Sequence, residues 1–461
     1  MSMGKRKRVR ATELWVPTTD LPLAPSHPFY RRLNDILRAG DFDGFVERTC
    51  QKFYAARMGR PSLAPGVYVR LLLLGYFEGL DSERGIAWRA ADSLALRDFL
   101  GLALHEAPPD HSTISRTRRL IDLDTHQAVF IWVLEALAAA KLLKGTTLGL
   151  DGTTLEANAA LRSIVRRDTG EGYQEFLTTL AKASGIGTPT RADLARIDRR
   201  RKKKGSNDDW THPHDPDAKI TKMKDGRTHL AHKAEHAVDL ETGAVVAVTV
   251  QDADEGDTTT MQATLIAAAE YLEAVLPADD VLRELVTDKG FHSNDRLVDL
   301  AAIGIRTYIS EPDRGRRRWR NKPEARAAVY ANRRRIRRSR GVRLLRRRGE
   351  YLERTFAHSY ETGGMRRTHL RGHGNILKRL LVHLSGFNLG LLMRALVGVG
   401  TPRGLQGRLA AVMATLWALA PHVARLNRAA SHLRCSLRRV TRANSTAVVW
   451  FSENATCTTG C

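Results

Sequence analysis

Three acidic residues sit where they could do chemistry together. Leu148-Gly149-Leu150 leads into Asp151-Gly152-Thr153-Thr154, and Leu285-Val286-Thr287 leads into Asp288-Lys289-Gly290. Glu353 follows in Arg348-Gly349-Glu350-Tyr351-Leu352-Glu353-Arg354-Thr355-Phe356, beside a dense arginine tract. Carboxylates far apart in sequence but fixed at strand ends are what hard divalent cations need. Two such ions, about 3.5–4 Å apart, could activate a water or a 3′-hydroxyl and stabilise the oxygen leaving a phosphodiester. Taken singly, each Asp reads equally well as a turn residue after an apolar run. What separates the two readings is whether the surrounding elements bring the carboxylates to one place.

The partner suggested by charge agrees with a phosphodiester. The chain has 461 residues, with 74 Lys and Arg against 50 Asp and Glu, a net charge of +24 and a pI near 10.3. Such an excess bears on partners rather than on fold, and nucleic acid is the commonest polyanion. No uninterrupted apolar run approaches the roughly 18–20 residues of a membrane span, and the basic start, Met1-Ser2-Met3-Gly4-Lys5-Arg6-Lys7-Arg8, lacks the apolar stretch of a signal peptide. A cytoplasmic protein without a membrane partner is expected. Cys50, Cys435, Cys457 and Cys461 form no C-x-x-C pair, so free thiols are expected rather than a zinc site or disulfides.

The elements that must position the carboxylates follow from periodicity. After a basic tail at 1–26, residues 27–140 show helical spacing of apolar residues, as in Val67–Phe77 and His126–Leu137. Between these runs, Pro109-Asp110-His111-Ser112-Thr113-Ile114-Ser115-Arg116 reads as a loop and a capped helix start, with Arg116, Arg118 and Arg119 on the helix. From 141 the pattern turns to strands. Thr146 to Leu155 is one; His236–Leu240 and Ala244–Val250 form a hairpin with Gly243 in its turn; short strands follow at Leu285–Thr287 and Ile305–Ser310. Helices are expected at Thr258–Val275, Asp295–Ala302 and about 350–359. A hairpin followed by alternating helices and strands implies an α/β fold: a mixed sheet with flanking helices, preceded by an all-α domain. Residues 160–230 read as a basic insertion or arm. More than a third of 311–349 is arginine, a density that repels itself unless phosphates or carboxylates neutralise it. The last part, 396–461, holds one apolar helix, Leu409 to Leu419, and a polar tail.

On these motifs the chain resembles the DDE transposases of bacterial insertion sequences over roughly 27–395. The Pro109–Arg116 piece resembles the "PDHSTIS-R" segment of their helical domain. Asp151-Gly152-Thr153-Thr154-Leu155-Glu156-Ala157-Asn158 resembles the block around the first catalytic Asp, and Val286–Phe291 the second. Glu353-Arg354-Thr355-Phe356, with Gly363-Gly364-Met365-Arg366-Arg367 and Leu370-Arg371-Gly372, resembles the block around the catalytic Glu.

The resemblance implies a ribonuclease-H-like catalytic domain over 141–395 and a helical DNA-binding domain over 27–140. It implies metal-dependent DNA cleavage and strand transfer at the terminal inverted repeats of an element, with Asp151, Asp288 and Glu353 holding Mg²⁺ or Mn²⁺ as a pair of ions. Its partner would be double-stranded DNA, both element ends and target, bound by a homodimer or larger assembly, nucleoid-associated in a bacterium. One pattern departs. Where relatives carry Tyr and Arg upstream of the Glu and Lys beyond it, this chain has Arg346, Gly349 and Tyr360. DNA contacts are then expected from Arg116, Arg118 and Arg119 on the helical domain and from Lys289, Arg348, Arg354, Arg366, Arg367 and Arg371 on the catalytic domain. Glu350 competes with Glu353, but it follows Gly349 at the expected helix start, where an acid merely complements the dipole. Asp257 reads as an N-cap, Trp210 as a base-stacking residue or an anchor, and His232, Lys233 and His236 as strand or DNA-facing residues rather than metal ligands. A catalytically inactive nucleic-acid-binding relative and another metal-dependent nuclease on the same fold are the competing readings.

Overall fold

The computed structural model describes residues 27–55, 62–103, 105–201, 205–223, 226–277, 281–313, 315 and 317–404. The chain divides into units 1–400 and 401–461, and every element below lies in the first. The expected Leu409–Leu419 helix, the basic tail at 1–26 and Cys435, Cys457 and Cys461 lie outside the described residues.

The helical part holds α1 (Pro28–Ala39), α2 (Phe42–Cys50), α3 (Pro65–Glu78), α4 (Glu83–Asp92), α5 (Leu94–Leu100), α6 (His111–Leu120) and α7 (Leu123–Ala139). Their ends obey local chemistry. Ser82, Ser93, Asp110 and Asp122 accept backbone N–H groups of the first turns of α4, α5, α6 and α7. Cys50 is a buried free thiol, as expected.

The second part opens with β1 (Thr147–Glu156). Next come β2 (Val165–Arg166), α8 (Tyr173–Ala183), α9 (Arg191–Arg200), β3 (Trp210–Thr211), β4 (Lys219–Lys222), β5 (Thr228–Asp239), β6 (Val245–Asp252) and α10 (Asp257–Glu273). They are followed by β7 (Glu284–Thr287), α11 (Asn294–Ala302), β8 (Arg306–Ile309), α12 (Pro323–Arg337), α13 (Ser339–Phe356) and α14 (His373–Val397). In the six-stranded sheet β1 is central. It pairs antiparallel with β5 and parallel with β7; β8 continues in parallel beyond β7, and β6 and β4 pair antiparallel with β5 on its far side. Leaving aside the short edge strand β4, three antiparallel strands (β6, β5, β1) followed by two parallel ones (β7, β8), with helices against the faces, make the ribonuclease-H-like mixed sheet. Gly243 turns the β5–β6 hairpin at φ 83°, a conformation that favours glycine.

Three expectations need correction. The described residues of the 160–230 insertion are folded rather than a loose arm: Trp210 is 2% exposed, with the Tyr173 and Phe176 rings edge-on to it, and β4 joins the main sheet. Trp210 is therefore the core of that unit and cannot stack on a base. The helix expected from about 350 begins much earlier, at Ser339, and runs into a π-helical segment, Ala357–Thr362. A boundary at 140/141 does not isolate two bodies, because α14 packs against α3 and α7 as well as against β6. It is also the one helix among the described residues that is long and apolar enough to cross a membrane, and most of it is buried as a core helix.

Candidate active site

The sheet brings the two aspartates together. Gly149 of β1 is level with Val286 of β7, so Asp151 and Asp288 emerge side by side two residues further along. Asp151 points to the face covered by α13, and its cross-strand partner is His236. From α13, the Arg348 Nη2 stands 2.8 Å from Asp151 Oδ2 and 3.9 Å from Asp288 Oδ2. The same guanidinium donates to the Leu150 carbonyl at 3.2 Å. One cation thus serves two carboxylates on separate strands.

The electrostatics match. Burial pushes the Asp151 carboxyl up to about 6; Arg348 opposes that shift, and Asp288 adds to it. Asp151 Oδ1 accepts the Gly152 N–H at 2.9 Å, and Asp288 Oδ1 accepts the Gly290 N–H at 2.9 Å. Both carboxylates are thereby fixed by their own backbones. His236 is fully buried, and burial holds it down to about 3, so it is neutral. Its ring meets Tyr360 Oη at 2.6 Å and Thr355 Oγ1 at 3.3 Å, which docks α13 and the π-helical segment onto β5. It is a fastening of the helix and not a metal ligand.

Glu353 is not brought into contact with the pair. The inner face of α13 is formed by Leu344, Arg348, Leu352, Thr355 and Phe356; Glu353 is exposed. Its flank is still informative. Arg347 donates to the Leu240 carbonyl and Tyr351 lies against Gly243, both at the hairpin turn beside the amino end of β1. At 100° per residue, Glu353 leaves the helix about 140° round from Arg348, outside the docked face. Glu350 faces solvent and is paired with Arg354 at 2.6 Å.

A further acid near the pair escaped the sequence reading. Gly256 occupies the N-cap of α10, not Asp257. Asp257 begins the helix proper and binds Lys233 Nζ at 2.7 Å. A Cβ on Gly290 would collide with Asp257 Oδ2 and stand 3.1 Å from Asp288 Oδ1, so the Lys289-Gly290 turn is wedged between the two acids. Lys233 also binds Glu235 at 3.0 Å, which places it in a buried polar cluster rather than facing DNA. Nothing in the local sequence around Asp257 distinguishes it from a helix cap; only the pairing of Lys233 with β6 and α10 does.

The basic residues divide. Arg118 is 6% exposed and bonds Glu83, Asn375 and Ser115, so it ties α6 to α4 and α14 instead of reaching outward. Arg348 is engaged by the aspartates. Arg366 donates to Glu361, Thr153 Oγ1 and the Thr154 carbonyl, fastening its loop to β1. Arg354 is held by Glu350. Arg116, Arg119, Lys289, Arg367 and Arg371 keep their exposed positions. In the arginine tract Arg317 and Arg333 share Glu311, and Arg340 binds Glu284, while Arg318, Arg326, Arg334, Arg337, Arg338, Arg343 and Arg346 are exposed.

The donor set suits a hard divalent cation: two oxygen ligands, one of them with its proton affinity raised by burial, already converging on a positive charge. The replacement Arg348→Ala leaves the two acids facing each other without a counter-charge. It is expected to lower stability by roughly 1–3 kcal/mol, below the range for a fully buried pair because the site is partly open. Mg²⁺ or Mn²⁺ should restore much of the loss, since a ligand that binds only the folded state stabilises it. Thermal melts with and without the ion would check this; a loss indifferent to divalent ions would make Arg348 purely structural.

Two family models match the chain. One, described as a transposase domain, matches residues 21–120, and the other, described as a transposase DDE domain, matches residues 207–388. Asp288 and Glu353 lie inside the second match, and Asp151 falls between the two. None of the curated proteins matches. Among solved structures, the Mos1 mariner paired end complex with Mn is similar at 11% identity, over 78% of this chain and 85% of that chain, with a TM-score of 0.18, too slight a likeness to argue from.

Proposed function

The chain belongs to the DDE transposases, polynucleotidyl transferases, and from that premise we propose that it binds the terminal inverted repeats of its own insertion sequence, cuts the DNA there and joins the freed ends to target DNA. The observation that carries the reading is the convergence of Asp151 and Asp288 on a single cation, at 2.8 and 3.9 Å. Asp151 and Asp288 would hold Mg²⁺ or Mn²⁺, with Glu353 approaching from its flank of α13. The bound ion would supply Lewis acidity to the scissile phosphate and a more acidic attacking hydroxyl.

The protein's own residues do the rest. The parallel β1–β7 pair fixes the spacing of the two carboxylates, and the backbone N–H groups of Gly152 and Gly290 fix their orientation. The Arg348 guanidinium balances their charge. Exposed arginines along α12 and α13, with Lys289, Arg367 and Arg371, would hold phosphates, and Arg116 and Arg119 would do so on the helical domain. Two element ends must be held together for joining, so a dimer or larger assembly on DNA is proposed, acting where the cell keeps its DNA.

The test is cation substitution on a duplex carrying the inverted repeat that flanks the gene. Binding should persist in EDTA and fall steeply with salt, with a log–log slope of about −0.9 per phosphate contact. Cutting should need Mg²⁺ or Mn²⁺, with Ca²⁺ supporting binding but little turnover because it tolerates loose geometry. Full cutting in EDTA would sink the metal reading, and a salt slope near zero the phosphate reading.

A further inference from the structure

β1 continues past Asp151 to Glu156. At about 3.3 Å per residue the strand places Glu156 roughly 16 Å beyond the aspartates. There a cavity of about 660 Å³ opens, lined among others by Glu156, Asn158, His212, His214, Arg367 and Arg371.

His212 is the residue the proposed chemistry leaves unexplained. It is 4% exposed, and its Nδ1 accepts the backbone N–H of His214 at 3.3 Å. That bond assigns the proton of the neutral ring to Nε2. No acceptor for it is found among the described residues, and the ring lines the cavity. Burial and the nearby Arg371 keep His212 below the ordinary imidazole range, so near neutral pH it is an uncharged donor.

The setting is built rather than incidental. Asp215, fully buried, accepts the Gly372 N–H at 3.0 Å and meets His232 Nε2 at 3.2 Å. Asp217 accepts the His373 N–H at 3.0 Å. Gly372 has φ 79°, which favours glycine there. These bonds clamp the 212–217 loop onto the loop before α14, and so present His212 and Arg371 to one space. Arg371 has no carboxylate partner among the described residues. Arg367 has only a loose one, Glu156 at 3.7 Å.

We propose that this cavity is a phosphodiester subsite for the DNA strand that runs along β1 away from the aspartate pair. It rests on the reading of that pair as the place of cutting. Its charge balance favours a diester: two guanidiniums less the Glu156 carboxylate leave one net positive charge. A backbone phosphate carries one negative charge, whereas a phosphate monoester carries about 1.5–2 near pH 7. His212 Nε2–H and the Asn158 amide add directed donors to the phosphate oxygens. An acidic peptide offers the same charge but no continuity with the aspartates.

The test uses the full-length protein and duplexes bearing the element end, each with one methylphosphonate in place of a single phosphate. Binding is read by fluorescence anisotropy in Ca²⁺. For the wild type, one or two adjacent neutralised phosphates on one strand should weaken binding by about threefold or more. Arg371→Ala, at an exposed site, should bind several-fold more weakly and lower the salt slope by about 1. It should also be indifferent to those same methylphosphonates. His212→Gln should share that indifference, and Glu156→Gln should bind more tightly and stay sensitive. The subsite is overturned if no neutralised phosphate separates wild type from Arg371→Ala, or if an acidic peptide competes in the wild type and not in Arg371→Ala. A wild type that binds the ends normally in that outcome leaves the transposase reading standing; a wild type that binds no end duplex overturns both.

Discussion

Asp151→Ala and Asp288→Ala each reduce cutting of an element-end duplex by about 10³-fold or more while leaving end binding almost unchanged; that is the expected result of a nicking assay run beside a gel shift. The size follows from the geometry. Two strands converge on one cation, so removing either carboxylate takes away one of the three proposed to hold a divalent ion and frees the other aspartate to move. Binding should survive because a carboxylate repels a phosphate; losing a negative charge near DNA is expected to tighten rather than weaken association. Asp288→Asn is the gentler control, since an amide still accepts the Gly290 N–H that Asp288 Oδ1 accepts at 2.9 Å. A loss of binding and melting temperature in proportion to the loss of cutting would show the aspartates to be scaffolding.

The second large effect separates two acids three residues apart. Glu353→Gln is expected to eliminate cutting in Mg²⁺, and Glu350→Gln to lose little. Both ride on α13, a helix docked by Leu352, Thr355 and Phe356. Glu350 already spends its charge on Arg354 at 2.6 Å, on the side facing water. Such an exposed pair contributes at most about 0.5 kcal/mol. Among the described residues Glu353 has no such partner, and it is the acid proposed to join the aspartates. The amide variant keeps its shape and removes only the charge, so a folding defect cannot imitate the effect. If Glu350→Gln were the inactive variant, α13 would have to work in a different rotational setting from the one described.

Much of this was legible in the sequence, and the failures share a cause. An apolar run ending in Asp is a local pattern, so Asp151 and Asp288 could be found without coordinates, as could the hairpin turning at Gly243. The helix boundaries of α10 and α11 fell within two residues of expectation. What a one-dimensional reading misses is the direction of a side chain on a helix whose docked face is unknown. Arg348 belongs to a run of three arginines, and nothing local says that it alone turns inward to the aspartates. Arg118 follows a capped helix start in the company of exposed arginines, yet it is buried against Glu83 and Asn375. Asp257 and Trp210 were ambiguous for a related reason: a helix-start acid and an aromatic in a polar stretch acquire their roles from partners on other strands, Lys233 in one case and the Tyr173 and Phe176 rings in the other. The Asp215 and Asp217 clamp depends on a loop more than 150 residues away, a contact that composition and spacing do not encode.

The central position of β1 has a consequence for synthesis. Both strands that pair with it, β5 and β7, are made after it, and α13 and α14 later still. At about 5–20 residues per second, a ribosome takes on the order of ten seconds to travel from β1 to β7. Until β5 follows, the nascent β1 has neither neighbour, and until β7 follows one of its edges stays open, a template for wrong pairing. Contacts this distant in sequence also make folding slow. A chain released early, before Arg348 has been added, holds both aspartates but neither their counter-charge nor Glu353, and it lacks α14, the helix that joins α3 and α7 to the sheet. Premature termination is therefore expected to leave fragments without the full set of proposed acids, and only molecules translated through α14 are expected to cut DNA.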